Sequence, residues 1–149
     1  MSQDKGNQIH KVFDQYMPYY FRYINPIIHK EKNEIHSLNE NQIKALLAIN
    51  HFRKATPTLL SHALNIQKGS LTTIIKALIK MDLIIKEYDV KDERTYYLQL
   101  TPSGQEFVKY KEKKIIVEFN NLFESMDEES LKKVVDGFNA LVQHFISLE

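Results

Sequence analysis

Cysteine is absent from the 149 residues, which excludes disulfides, thiolate zinc sites and thiol-based redox sensing. No apolar run approaches the ~20 residues of a membrane-crossing helix. The polar, mixed-charge beginning holds no apolar signal core. The expectation is a soluble cytoplasmic chain with no membrane partner. An excess of one charge is also lacking, since 20 Lys and Arg face 19 Asp and Glu, for a formal net charge of +1. Any nucleic-acid role must therefore come from the distribution of charge, not its sum. No glycine-rich phosphate loop, HExxH pair or nucleophile–base arrangement is found, so an enzyme is not expected. Internal repeats and low-complexity segments are missing too.

What is present is ordinary for a folded chain: 43% of residues are apolar. The length suits one compact domain, or a small domain with helical arms. The stretch that organises the rest is residues 66–81. At helical period, Leu71, Ile74, Ile75 and Leu78 form an apolar stripe for packing on a core. Lys68, Thr72, Lys76 and Lys80 form an i+4 row on the other side, with Gly69 and Thr73 beside it. That face holds lysines, which neutralise phosphate, and hydroxyls, which can bond phosphate or base edges. From Asn41 to Met81 there is no acid, while Lys44, Arg53, Lys54, Lys68, Lys76 and Lys80 all fall inside the span. The plain alternative is a solvated amphipathic helix that reads nothing.

Taken in order, residues 7–30 suggest a bent helix or two segments. Val12, Tyr16, Tyr19, Tyr20, Tyr23 and Ile27 make its stripe, and Pro18 and Pro26 interrupt it. Residues 30–36 read as a polar connection. Asn39 is the expected N-cap of a helix to about Phe52, with Ile43, Leu46, Leu47 and Asn50 on one face. Thr56 before Pro57 starts a short helix burying Leu59, Leu60, Ala63 and Leu64, and Asn65 breaks it. Two helices joined by so short a turn form a helix-turn-helix. Residues 83–88 and 96–100 read as strands around a charged tip, which holds Lys91 and Arg94 with Asp89, Asp92 and Glu93. The order helix-turn-helix then hairpin is that of a winged helix. Thr101-Pro102 caps a helix to about Phe123, and residues 125–129 read as a break and a new start, with acids in the first turn of a last helix. The fold class is thus mostly α with a small β-hairpin (α+β). Residues 37–101 form the winged helix-turn-helix, and residues 1–36 and 102–149 its dimerisation helices. The terminal apolar stripes are too long for so small a core to cover, so a homodimer is expected.

Residues 70–78, the Asp92-Glu93-Arg94 wing and the following Leu98-Gln99-Leu100-Thr101-Pro102-Ser103-Gly104 carry a family likeness. With them the chain resembles the multiple-antibiotic-resistance-regulator (MarR) family of bacterial transcription factors over nearly its whole length. The resemblance implies a homodimer binding double-stranded DNA at a palindromic operator, usually as a repressor. The implied DNA contacts are Lys68, Gly69, Ser70, Thr72, Thr73, Lys76 and Lys80, with Lys91, Asp92 and Arg94 on the wing. Arg94 would be the wing arginine, placed by Asp92 in the minor groove. Two positions depart from the pattern. The family usually has Gly where Asp82 stands, and many members have Arg where Thr73 stands, so the bases read cannot be carried over. Asp82 tolerates a left-handed backbone better than most residues, so the turn should survive. The family-typical effector is a small aromatic molecule between the first helix and the winged helix, for which Tyr16, Tyr20 and Tyr23 are the candidate lining. No cofactor and no metal is expected: His10, His29, Glu34, His36, His51, His62 and His144 show no helical ligand pair. The competing reading is a winged-helix protein-interaction module without DNA affinity.

Overall fold

The computed structural model describes residues 2–29, 37–52 and 54–148. The expected connection over residues 30–36, with Glu34 and His36, and Arg53 lie outside the described residues. The chain forms two compact units, Met1–Ile116 and Val117–Glu149. The first holds α1 (Ser2–Tyr19), a π-helical turn (Tyr20–Ile24), α2 (Asn25–His29), α3 (Glu40–His51), α4 (Pro57–Leu64) and α5 (Lys68–Lys80). The hairpin β1 (Ile84–Tyr88) and β2 (Tyr96–Leu100) follows, then most of α6 (Pro102–Phe123). The second unit holds the end of α6 and α7 (Glu128–Ile146).

The expected bend in the first helix takes the form of a register slip. Pro18 and Pro26 each lack the N–H that an α-helical ladder requires at their position. Between them the Asn25 N–H bonds to the Tyr20 carbonyl, five residues back, so one extra residue is looped into the helix. The apolar stripe of this helix stays largely open: Ile9, Val12, Phe13, Tyr19 and Phe21 are exposed, and Tyr16 and Tyr20 are half-buried.

The core sits under the winged helix. Asn39 begins α3 with a reciprocal capping box, its side chain accepting from Gln42 N–H and its own N–H donating to Gln42 Oε1, each at 2.9 Å. Ile43, Ala45, Leu46 and Ile49 face inward, whereas Asn50, expected on that face, is exposed. Thr56 caps α4 through the Leu59 N–H at 3.1 Å, with Pro57 at the first helical position. Only Leu60 of α4 is buried. Leu59 and Ala63 are exposed and Leu64 is half-buried, because the core reaches just one edge of this two-turn helix. Asn65 ends it in the left-handed region at φ 51°.

Helix α5 buries the four residues of its expected stripe: Leu71, Ile74, Ile75 and Leu78. Truncating a fully buried leucine such as Leu78 to Ala costs about 2–5 kcal/mol. The helix stops in a Schellman motif: Asp82 N–H bonds to Ile79 O and Leu83 N–H to Leu78 O, both at 3.0 Å. Asp82 takes the left-handed position at φ 58°. Leu83 is fully buried just before β1, which begins one residue later than expected. The strands pair antiparallel with Ile84 opposite Leu100 and Tyr88 opposite Tyr96, and Ala55 adds a single bridge to Leu98.

Thr101 and Gly104 tie the end of α5 to the start of α6. The buried Thr101 hydroxyl donates to Asp82 O at 2.5 Å and accepts from Gly104 N–H at 3.0 Å. A Cβ on Gly104 would lie 2.0 Å from the Leu83 carbonyl oxygen, so only glycine permits this approach. Phe107 and Val108 then close the core from α6.

Helix α7 is capped by Asp127, which accepts from Ser130 N–H at 2.8 Å. It buries no residue, and Leu131, Val135, Phe138, Leu141, Val142 and Phe145 are all exposed along it.

Candidate nucleic-acid interface

The inward stripe of α5 fixes which side looks out. Lys68, Gly69, Ser70, Thr72, Thr73, Lys76 and Lys80 are all exposed. By helical period Gly69, Thr72, Thr73, Lys76 and Lys80 fall within about 100° of one another on the side opposite Leu71 and Leu78. The threonine hydroxyls are already engaged. Thr72 Oγ1 donates to Lys68 O at 2.9 Å, and Thr73 Oγ1 to Gly69 O at 3.3 Å. Held this way, each hydroxyl offers an incoming group an acceptor lone pair and a methyl, not a proton. Phosphate carries only acceptors, so the lysines, not the threonines, are the groups suited to meet it here.

The hairpin tip is organised by its acids. Asp89 accepts from Lys91 N–H at 2.8 Å, Asp92 N–H at 3.2 Å and the Tyr97 hydroxyl at 3.1 Å. The Lys91 amide, then the Tyr97 hydroxyl, holds the Asp89 carboxyl below its usual range. The bond to Asp89 pushes the Tyr97 phenol up in turn. Asp92 accepts from Arg94 N–H and from the Thr95 hydroxyl, each at 3.0 Å. The expected tie between Asp92 and Arg94 is therefore made to the backbone. Among the described residues no carboxylate lies within ion-pair reach of the Arg94 guanidinium. Lys91, Asp92 and Arg94 are all exposed. Behind the tip, Lys54 sits 5.2 Å from the centre of the Tyr97 ring. The role of Asp89 does not show in a sum of tip charges. Its signal is positional, an Asp opening a turn, which can cap the amides two and three residues on.

Of the three candidate effector tyrosines, Tyr16 and Tyr20 are neighbours along α1 and the π-turn, whereas Tyr23 pairs with Tyr19. Tyr16 and Tyr20 lie 6.0 Å apart, and Tyr19 stacks on Tyr23 at 6.4 Å. Tyr16, Tyr20 and Tyr23 line neither of two clefts in the first unit. One, of about 350 Å³, lies between Ile49 of α3 and Phe52 just after it, Leu98 and Leu100 of β2, and Val108 and Glu112 of α6. The other, of about 220 Å³, lies behind the wing beside Lys54, Asp89 and Tyr97. His29 has its Nδ1 buried without a hydrogen-bond partner among the described residues. Burial, then the charge of Lys44, pushes its pKa down. No cluster of three metal-ligating side chains occurs among the described residues. No helix among them is long and apolar enough to cross a membrane.

A helix-turn-helix whose second helix bares a basic face, followed at once by a hairpin, defines a winged helix. Over residues 27–110 the chain matches the family described as Transcriptional regulator SarA/Rot. That span is more than half of the chain, which belongs to this family of MarR-like winged-helix regulators. It is 34% identical over 91 residues to uncharacterized HTH-type transcriptional regulators of Staphylococcus aureus, among them those of strains Mu50 and COL. The match covers 61% of this chain and 58% of those proteins. The fold is shared with a MarR family protein from Bacillus stearothermophilus (TM-score 0.72, 16% identity, 98% of this chain and 99% of that one). It is shared as well with a MarR transcriptional regulator from Methanosarcina mazei Go1 (TM-score 0.67, 21% identity, 96% and 99%). Streptococcus pneumoniae FabT, solved in complex with DNA, has a TM-score of 0.65 at 17% identity, with both chains covered in full.

Proposed function

We propose that this regulator binds double-stranded DNA sequence-specifically, as a homodimer on a palindromic operator, and acts as a cytoplasmic repressor. The observation that carries the reading is the outer face of α5, basic, acid-free and exposed beside a hairpin whose Arg94 guanidinium meets no carboxylate among the described residues. Lys68, Gly69, Ser70, Thr72, Thr73, Lys76 and Lys80 would meet the major groove and its phosphates. Lys91 and Arg94, on a tip shaped by Asp92, would meet the minor groove, where negative potential is focused. Residues 37–101 do the binding, and residues 1–36 and 102–149 pair the protomers. Pairing is favoured by the open apolar residues of α1 and, separately, of α7. Release by a small aromatic ligand at Tyr16, Tyr20 and Tyr23 requires that the ligand prefer a dimer with the wrong spacing of recognition helices.

The test is to incubate the purified protein with sheared genomic DNA at near-physiological salt and to sequence what stays bound. A few enriched palindromic fragments are expected. An absence of enrichment, with the protein folded and dimeric, would favour a winged helix that contacts proteins instead.

A further inference from the structure

Gly69 has no reason within its own chain to be glycine. It lies in the first turn of α5 and is exposed, and no glycine among the described residues has positive φ. A Cβ built there would meet nothing within 4 Å, as at Gly6 and Gly137; of these three, Gly69 is the one on the basic face of α5. Gly104 is the contrast: there the fold itself forbids a side chain. In a helix, glycine costs stability relative to alanine, since it freezes more backbone freedom and packs nothing. The position also stands at the centre of the outward face. One helical turn on, Thr72 and Thr73 flank it, and Lys76 lies two turns along almost directly in line. Those two threonines are short, and their hydroxyls are folded back onto the Lys68 and Gly69 carbonyls. The result is a low patch of bare backbone, with Lys68 at one edge of the face and Lys76 in line with Gly69 two turns along.

We infer that Gly69 is the point of closest approach between α5 and the base edges of the major groove, so that the missing side chain is itself a specificity determinant. This rests on the DNA-binding reading above. The helix backbone at residue 69 touches the base edges, while the long side chains of Lys68, at the edge of the face, and Lys76, two turns along, reach past it to phosphates. A methyl at residue 69 would hold the helix off the groove floor. Every base-edge contact of the first two turns would lengthen, whereas the flexible lysines could still follow the phosphates. The cost therefore falls on specific binding and spares sequence-independent binding.

The experiment uses the full-length protein, the fragment most enriched by the wild type from sheared genomic DNA, and a random-sequence duplex of equal length. Gly69→Ala and Gly69→Leu are compared with wild type by fluorescence anisotropy, with melting temperature as the measure of folding. The expected result is that Gly69→Ala melts at or above the wild-type temperature. It binds the random duplex within twofold of wild type and loses at least tenfold affinity for the enriched fragment, with Gly69→Leu losing more. Wild-type affinity of both variants for the enriched fragment would overturn the inference, as would an equal loss on both duplexes. If the wild type enriches no fragment, the DNA-binding reading itself fails and takes this inference with it.

Discussion

Replacing Thr101 with Val tests the claim that one hydroxyl holds the end of α5 to the start of α6. Valine has nearly the same volume, so no cavity opens and the effect isolates the hydroxyl. Thr101 is 5% exposed, and its Oγ1 makes the 2.5 Å bond to Asp82 O and the 3.0 Å bond from Gly104 N–H. The bond to Asp82 O is only part-buried, so water can take over part of it. That half of the loss is about 0.5–1 kcal/mol, the net worth of an ordinary hydrogen bond. Gly104 is buried against Leu83, and water cannot replace the cap there. An unsatisfied buried donor costs about 1–2 kcal/mol, in line with measured N-cap losses. Together, Thr101→Val should destabilise the fold by about 1.5–3 kcal/mol, or a fall in Tm of roughly 4–10 °C for a chain of this size. Thr101→Ser keeps both bonds and gives up one methyl, worth about 0.8 kcal/mol. The assay is urea unfolding followed by circular dichroism, at one fixed protein concentration because pairing would add to apparent stability. A Val variant within about 0.5 kcal/mol of wild type would refute the reasoning, as would a Ser variant as damaged as Val.

Other outcomes follow from the same structure. Asp82→Gly relieves a left-handed backbone at φ 58° and should stabilise the fold by about 0.5–1 kcal/mol; a lower urea midpoint would show that the Asp82 side chain has a role of its own. Arg94→Ala should weaken binding to the enriched operator fragment at least tenfold with an unchanged circular dichroism spectrum, and unchanged affinity would remove the wing from the interface. Lys76→Ala should lower the slope of log K against log salt by about 1, as expected when one fewer phosphate is neutralised; an equal slope rules out a phosphate partner for Lys76. His29 is held below its ordinary 6.5, so the unfolded chain takes up its proton first on acidification. Stability from this group is complete above about pH 6.5 and falls as pH drops from there towards the lower folded-state pKa. His29→Gln should flatten the urea midpoint between pH 7 and pH 5, and an equally steep fall in that variant would assign the pH dependence to other groups.

Much of the fold is legible in the sequence because its signals are local. The α5 stripe at residues 71, 74, 75 and 78 is buried as its spacing demands, since the helical period alone decides which four residues share a side. Asn39 and Thr56 cap helices because a short acceptor side chain beside free amides needs no distant partner. Asp82 takes the left-handed turn for an equally local reason. The outward lysines of α5 follow once the inward stripe is known, which is why helical periodicity alone picks out the candidate interface as a face.

What depends on distant neighbours is decided only in three dimensions. Leu59 and Ala63 look as core-bound as Leu60, yet just Leu60 meets the packed side of α3 and α5. Two prolines announce a bend near residue 20, but whether it is a kink or a one-residue slip depends on how the ladder closes between them. Tip acids that cancel Lys91 and Arg94 in a charge count instead build the tip, and that requires the Tyr97 hydroxyl to arrive from the opposite strand. Gly69 and Gly104 are the same letter in the sequence. Only the packing distinguishes them, with open space at one and the Leu83 carbonyl 2.0 Å from the missing Cβ at the other. Sequence determines what a residue and its nearest neighbours along the chain can do; tertiary structure decides what stands across from them, because that neighbour comes from a part of the chain no local pattern can reach.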